Sequence, residues 1–244
     1  GTSNFRAGVN AGNSIQSGGN FNTVLGDEAG TAITTGDDNV AVGYAAGDAM
    51  TTGSYNAIVG KNSGGAITTG VENVSVGWNS LDALTEGGQN VALGASALGT
   101  DTLGSRSVAV GYQALTTQNF TTATDAHNTA VGYKAGEAVT TGANNTIIGA
   151  NTGIALTSGS NNNLIGGLAG DALTTGHSNN IMGVSCGTAL TDADYNVAIG
   201  QQALNSDTLG SQTVAIGSFA LSAQNYTTAT NSLNTAVGYA AGAA

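Results

Sequence analysis

The chain has 244 residues with 39 glycines, no proline and a net charge of −11 from 15 acidic and 4 basic side chains. The four cations (Arg6, Lys61, Arg106, Lys134) are too few to cover a phosphate backbone, which argues against a nucleic-acid partner. No stretch approaches the roughly 20 apolar residues of a membrane span, and the lone Cys186 excludes a disulfide within the chain.

In chain order, Asn4–Phe21 reads as an 18-residue turn with Gly8, Gly12 and Gly18 in register. From Asn22 the chain repeats every 17 residues, beginning Asn22-Thr23-Val24-Leu25-Gly26 and then Asn39-Val40-Ala41-Val42-Gly43. With the asparagine as position 1, all 13 copies carry glycine at position 5, and 11 of 13 begin with asparagine; Ser107 and Thr213 are the exceptions. A period this short predicts a solenoid in which each repeat is one turn stacked on the next. Two copies, Ser107–His127 and Thr213–Leu233, run to 21 residues and carry near-identical insertions around Phe120 and Tyr226. Residues 22–127 and 128–233 are therefore tandem six-turn blocks within a single solenoid domain spanning 1–244. Residues 234–244 form a partial turn, as though trimmed from something longer, and no signal peptide is visible.

Positions 2 to 4 of each copy, such as Val40-Ala41-Val42 and Val197-Ala198-Ile199, read as a short strand rich in β-branched residues. Position 4 is apolar in every copy (Leu25, Val42, Val59, through Met182 to Val237) and is expected to face the interior. Position 3 then faces the other way by strand alternation. It too is mostly apolar, so a partner is expected over Ala41, Ile58, Ala92, Ile147, Leu164 and Ile181, which mark a homotrimer interface. A further apolar column (Ile33, Met50, Ile67, Leu84, Val139, Leu156, Leu173, Leu190) followed by Thr-Thr-Gly corners predicts a second short strand on the far side.

The strings Asn39–Gly47 (NVAVGYAAG), Asn128–Gly136 (NTAVGYKAG) and Asn234–Gly242 (NTAVGYAAG) resemble the head repeats of trimeric autotransporter adhesins, the YadA-like family. They are still more similar to repeats of viral, especially phage, tail-fibre proteins. The resemblance covers nearly the whole chain. It implies an all-β, left-handed parallel β-roll assembled as an intertwined or side-by-side homotrimer. It also implies an extracellular place, on a virion tail fibre or on a bacterial cell surface.

Chemistry needs convergent, unique residues, and repetition leaves few. His127 and His177 lack companions at metal or triad spacing, and Cys186 occupies a column of Ala, Ser and Thr, so it reads as a buried filler. No paired carboxylates stand out as a glycoside-cleaving set, so no catalytic residue, metal or cofactor is expected and the reading is non-enzymatic. The acidic column Asp48, Asp82, Glu137 and Asp171 is interrupted by Thr31, Gly65, Gly99 and Ile154, a weak cation site at best. Position 6 varies freely, which marks a solvent-facing site; Tyr44, Trp78, Tyr112 and Tyr133 there, with Phe120 and Tyr226 on the long loops, are the candidate contacts to a glycan or protein receptor. The competing reading of position 6 is aromatic caps that shield the turn below. A rival of another class is an ice-binding solenoid built on the threonine row Thr34/Thr35, Thr51/Thr52 and Thr68/Thr69, although Glu86, Leu103 and Asp192 interrupt it.

Overall fold

The computed structural model describes residues 2–243, and these contain no helix. They form a parallel β-solenoid whose turns lie 17 residues apart, divided into two compact units that meet in sequence at Ala126 and His127. The first unit stacks β1 (Phe5–Ala7), β2 (Thr23–Leu25), β3 (Val40–Val42), β4 (Ala57–Val59), β5 (Val74–Val76), β6 (Val91–Leu93) and β8 (Val108–Val110). A two-stranded sheet, β7 (Gly104–Ser105) with β9 (Thr124–Asp125), ties in its long loop. The second unit repeats the plan with β10 (Thr129–Val131), β11 (Thr146–Ile148), β12 (Asn163–Ile165), β13 (Asn180–Met182), β14 (Val197–Ile199), β16 (Val214–Ile216) and β18 (Thr235–Val237). There β15 (Gly210–Ser211) pairs with β17 (Thr230–Asn231). The register follows the sequence period: Val40 pairs with Ala57 and Ala41 with Ile58.

The expected second strand is absent from the ordinary turns. One three-residue strand per turn suffices because the corners bond to the neighbouring turn as well. In the turn from Asn39, the amides of Ala45, Gly47 and Thr51 donate to the carbonyls of Asp27, Ser63 and Thr68.

Glycine is obligatory at position 5 for two reasons at once. Gly43 holds φ +133°, a conformation that L side chains rarely adopt, and a Cβ there would lie 2.6 Å from the carbonyl oxygen of Gly60 in the next turn. The corner at position 15 is constrained by contact alone: a Cβ on Gly53 would meet the carbonyl oxygen of Gly70 at 2.5 Å.

Position 1 is the other fixed point. Asn39 is fully buried, and its carboxamide Nδ2 donates to Gly53 O of its own turn and to Asn22 Oδ1 of the preceding one. Its Oδ1 in turn accepts from the backbone N and the Nδ2 of Asn56, and the pattern continues to Asn73 and Asn90. The second unit carries the same ladder from Asn128 through Asn145, Asn162 and Asn179 to Asn196. Buried amides in a low-dielectric interior are stabilising only when every donor and acceptor is met, and the ladder meets them.

Because the asparagines point inward, strand alternation sends position 3 inward with them and position 4 outward. This reverses the sequence expectation. Ala41, Ile58, Ala92, Ile147, Leu164 and Ile181 are fully buried inside their own turns and are not available as an interface, whereas Leu25 is 43% and Met182 39% exposed. Apolarity had pointed the wrong way because the interior is narrow. It accepts alanine, and even Ser75 when Ser63 and Ser80 complete a buried hydroxyl cluster, while the outer column is uniformly large.

Core volume is shared between two corners. Turns with glycine at position 9 (Gly47, Gly64) fill the interior from position 12 (Met50, Ile67). Where position 9 is leucine (Leu98, Leu115), position 12 is polar: Asp101 and Gln118, both buried. The leucine supplies the apolar volume, which leaves space for a polar pair.

Replacing Gly43 by alanine is expected to destabilise the fold by about 2–4 kcal/mol, since it adds backbone strain and a steric overlap. Tyr44→Ala, at an exposed neighbour, is expected to change stability by less than about 0.5 kcal/mol. Chemical-denaturation midpoints of the two variants would check the contrast; equal midpoints would contradict it.

Candidate functional site

Four side chains per turn face outward around the strand, at positions 17, 2, 4 and 6. Positions 2 and 4 form the apolar centre, and positions 17 and 6 form its margins. Position 6 stands as expected: Tyr44 and Trp78 are each 54% exposed, and Tyr112 and Tyr133 are similarly open. Lys61 lies one turn from Tyr44 with its Nζ 5.8 Å from the ring centroid, and Lys134 Nζ lies 5.9 Å from the ring of Tyr133. Both are cation–π contacts that leave ring edges in solvent. The opposite margin was missed. Tyr55 and Tyr195, at position 17, are as exposed as any aromatic at position 6. The signal was in the sequence, since position 17 varies as freely as position 6 (Asp38, Tyr55, Glu72, Gln89, Arg106).

The long loops are not symmetrical knobs. Phe120 is buried, which corrects its assignment as a receptor contact. Tyr226 is half-buried, and its hydroxyl accepts from Asn234 Nδ2 at 3.3 Å. Each loop folds back over a buried aspartate that sequence reasoning overlooked. Asp101 accepts from Gln118 Nε2 at 2.5 Å, from the Phe120 amide and from the Gly104 amide. Asp207 accepts from Gln224 Nε2, the Tyr226 amide and the Gly210 amide in the same way. The duplicated polar residues at position 12, where other turns are apolar, were the available sign.

The acidic column resolves into separate situations. Glu137 pairs with Lys134 at 3.0 Å. Asp171 stands half-buried, and its Oδ1 has no hydrogen-bond partner. Asp48 and Asp82 border an open groove of about 580 Å3 together with Tyr44, Lys61, Asn62 and Gly65. Among the described residues no three His, Cys, Asp or Glu side chains group to hold a metal ion. No helix is long and apolar enough to cross a membrane. His177 is exposed and caps a corner, its Nδ1 accepting from the Ser160 amide.

The threonine row is divided by function. The first hydroxyl of each pair is consumed internally: Thr34, Thr51 and Thr68 donate to the carbonyls of Thr51, Thr68 and Thr85. Only the second column (Thr35, Thr52, Thr69) faces water, and Glu86 ends it.

Cys186 is fully buried, its Sγ 3.2 Å from Ala198 O and 3.3 Å from Ala203 O, and burial pushes its pKa up to about 12. It should resist alkylation in the folded chain and react only on unfolding, which mass spectrometry after iodoacetamide treatment with and without denaturant would check.

Burial also raises the carboxyls of Asp48, Asp82, Asp101 and Asp171 above 3.8, and for Asp82 the charge of Asp48 adds to the effect. With folded values above the unfolded one, the folded chain holds these protons more tightly. The associated stability is fully present below 3.8 and is lost as pH rises through the raised values. Falling net charge acts in the same direction. The Tm is therefore expected to rise as pH is lowered from neutrality to the mildly acidic range, and a steady decline there would contradict the assignment.

No known family model, curated protein or solved structure matches this chain.

Proposed function

We propose that the chain is a structural and adhesive fibre segment, non-enzymatic, extracellular, and part of a phage or virus tail. The observation that carries this reading is the outer strand face. Position 4 is a large aliphatic side chain in every turn, yet it lies open to solvent on a fold that has already closed its own core. Seven strands about 4.8 Å apart, each offering roughly 20 Å of chain across positions 17 to 6, present on the order of 700 Å2 per unit. That approaches the ~800 Å2 each partner contributes to a stable interface, and it exceeds what a soluble monomer ordinarily leaves bare.

Three copies cover this face by packing it around a common axis, each wound as a left-handed roll. A chain that fills its own interior favours side-by-side protomers over intertwined ones. The resemblance of Asn39–Gly47 and Asn128–Gly136 to tail-fibre repeats supports both the trimer and the setting. The bacterial adhesin head shares the same roll and remains the alternative. Internal consumption of the first threonine hydroxyls weighs against an ice-binding surface. Recognition falls to the exposed margins, where Tyr44, Trp78, Tyr112 and Tyr133 offer rings to a glycan or protein receptor.

Sedimentation equilibrium at micromolar concentration is expected to return three times the chain mass. Ile148→Asp, on the outer column, should yield folded monomer with its circular dichroism retained. Ile147→Asp, one residue away but fully buried, should abolish folding because it places an uncompensated charge in the core. A monomeric unmodified chain would overturn the assembly.

A further inference from the structure

We infer that the groove over Gly65 is a binding site for a neutral hexopyranose unit of a surface glycan. The inference deepens the adhesive half of the function proposed above. Three successive turns place Asp48, Gly65 and Asp82 at position 10. The missing side chain in the middle opens a notch between the two carboxylates. The point where a Gly65 Cβ would stand lies 2.9 Å from Asp82 Oδ1 and 3.6 Å from Asp48 Oδ1. A hydroxyl seated there donates to one carboxylate while its vicinal neighbour reaches the other. Charge-assisted O–H···O− bonds of this kind are the short, strong class.

The rest of the groove fits the remainder of a sugar. The exposed Tyr44 ring offers an apolar wall to the C–H face of a pyranose. Lys61 donates only, whereas the Asn62 carboxamide both donates and accepts, so ring and hydroxyl oxygens find partners. The volume, about 580 Å3, is in the range of small-molecule sites.

Stacking does not require this arrangement. The second block, offset by 106 residues, carries Ile154, Asp171 and Thr188 at the matching positions, and it builds the same turns with the notch filled. The first unit thus holds two partly desolvated, mutually repelling carboxylates that the fold can do without. Such uncompensated groups in a groove are characteristic of ligand sites. Two carboxylates without a third are a poor cage for a divalent cation, and hydroxyl donors suit them better.

Saturation-transfer NMR on the full chain with the methyl glycosides of glucose, galactose and mannose, each at millimolar concentration, would test the site. At least one glycoside is expected to receive saturation. The signal should fall at least five-fold in Gly65→Asp, which copies the residue the second block carries, and in Tyr44→Ala. It should persist in Tyr195→Ala, an exposed aromatic of the other unit. No transfer from any of the three glycosides, transfer that survives Gly65→Asp, or a response to calcium chloride without a response to any glycoside would each overturn the inference. Because assembly is read separately by sedimentation and depends on the outer strand face, a trimer that binds no glycoside refutes the groove alone.

Discussion

The whole solenoid depends on one buried carboxamide per turn. Each asparagine at position 1 closes its own turn, through Nδ2 to the position 15 carbonyl, and joins the next, through Oδ1. A turn with only one three-residue strand has little ladder hydrogen bonding to keep it in register. The asparagine supplies a second, side-chain ladder inside the core, parallel to the backbone one. Its demands propagate outward. The position 15 glycine must let the neighbouring backbone approach, position 3 must share the interior with the amide, and position 4 is left outside.

That last step is where the sequence was hardest to read. The period, the strand at positions 2 to 4 and the turn at position 5 were all legible, because spacing and glycine placement carry them directly. The parity of the strand was not. Both faces are apolar, and an invariant polar residue ordinarily signals a surface. Asn39 and its equivalents break that association, since a stacked amide satisfies itself only through its neighbours in adjacent turns, which no single repeat displays. At the margins, freedom of substitution correctly marked Tyr44 and Trp78 as exposed. The same criterion applied to Phe120 could not see that a polar pair beneath, Asp101 and Gln118, draws the loop inward.

The exchange between positions 9 and 12 shows how the core tolerates such pairs. The interior of a turn has a fixed small volume, and a leucine at one corner or an aliphatic at the other can fill it. Where the leucine takes the task, the opposite corner is released for Asp101 or Asp207, which anchor an insertion without opening a void. Insertions are thereby confined to turns of the second kind. Elsewhere the solenoid keeps its strict length, and the outer face keeps its even spacing.

The asparagine ladder also has a mechanical meaning. Each amide is bonded only to the turns directly above and below, so a load applied to one end of a unit is borne by one interface at a time. A pulled chain would release its turns singly, each paying out a similar length of 17 residues against a similar set of bonds. Ser107 and Thr213 lack the carboxamide and sit at the far end of each ladder. They divide the chain into separate lengths of zipper, so that a tear begun in one has no continuous amide row to follow into the other.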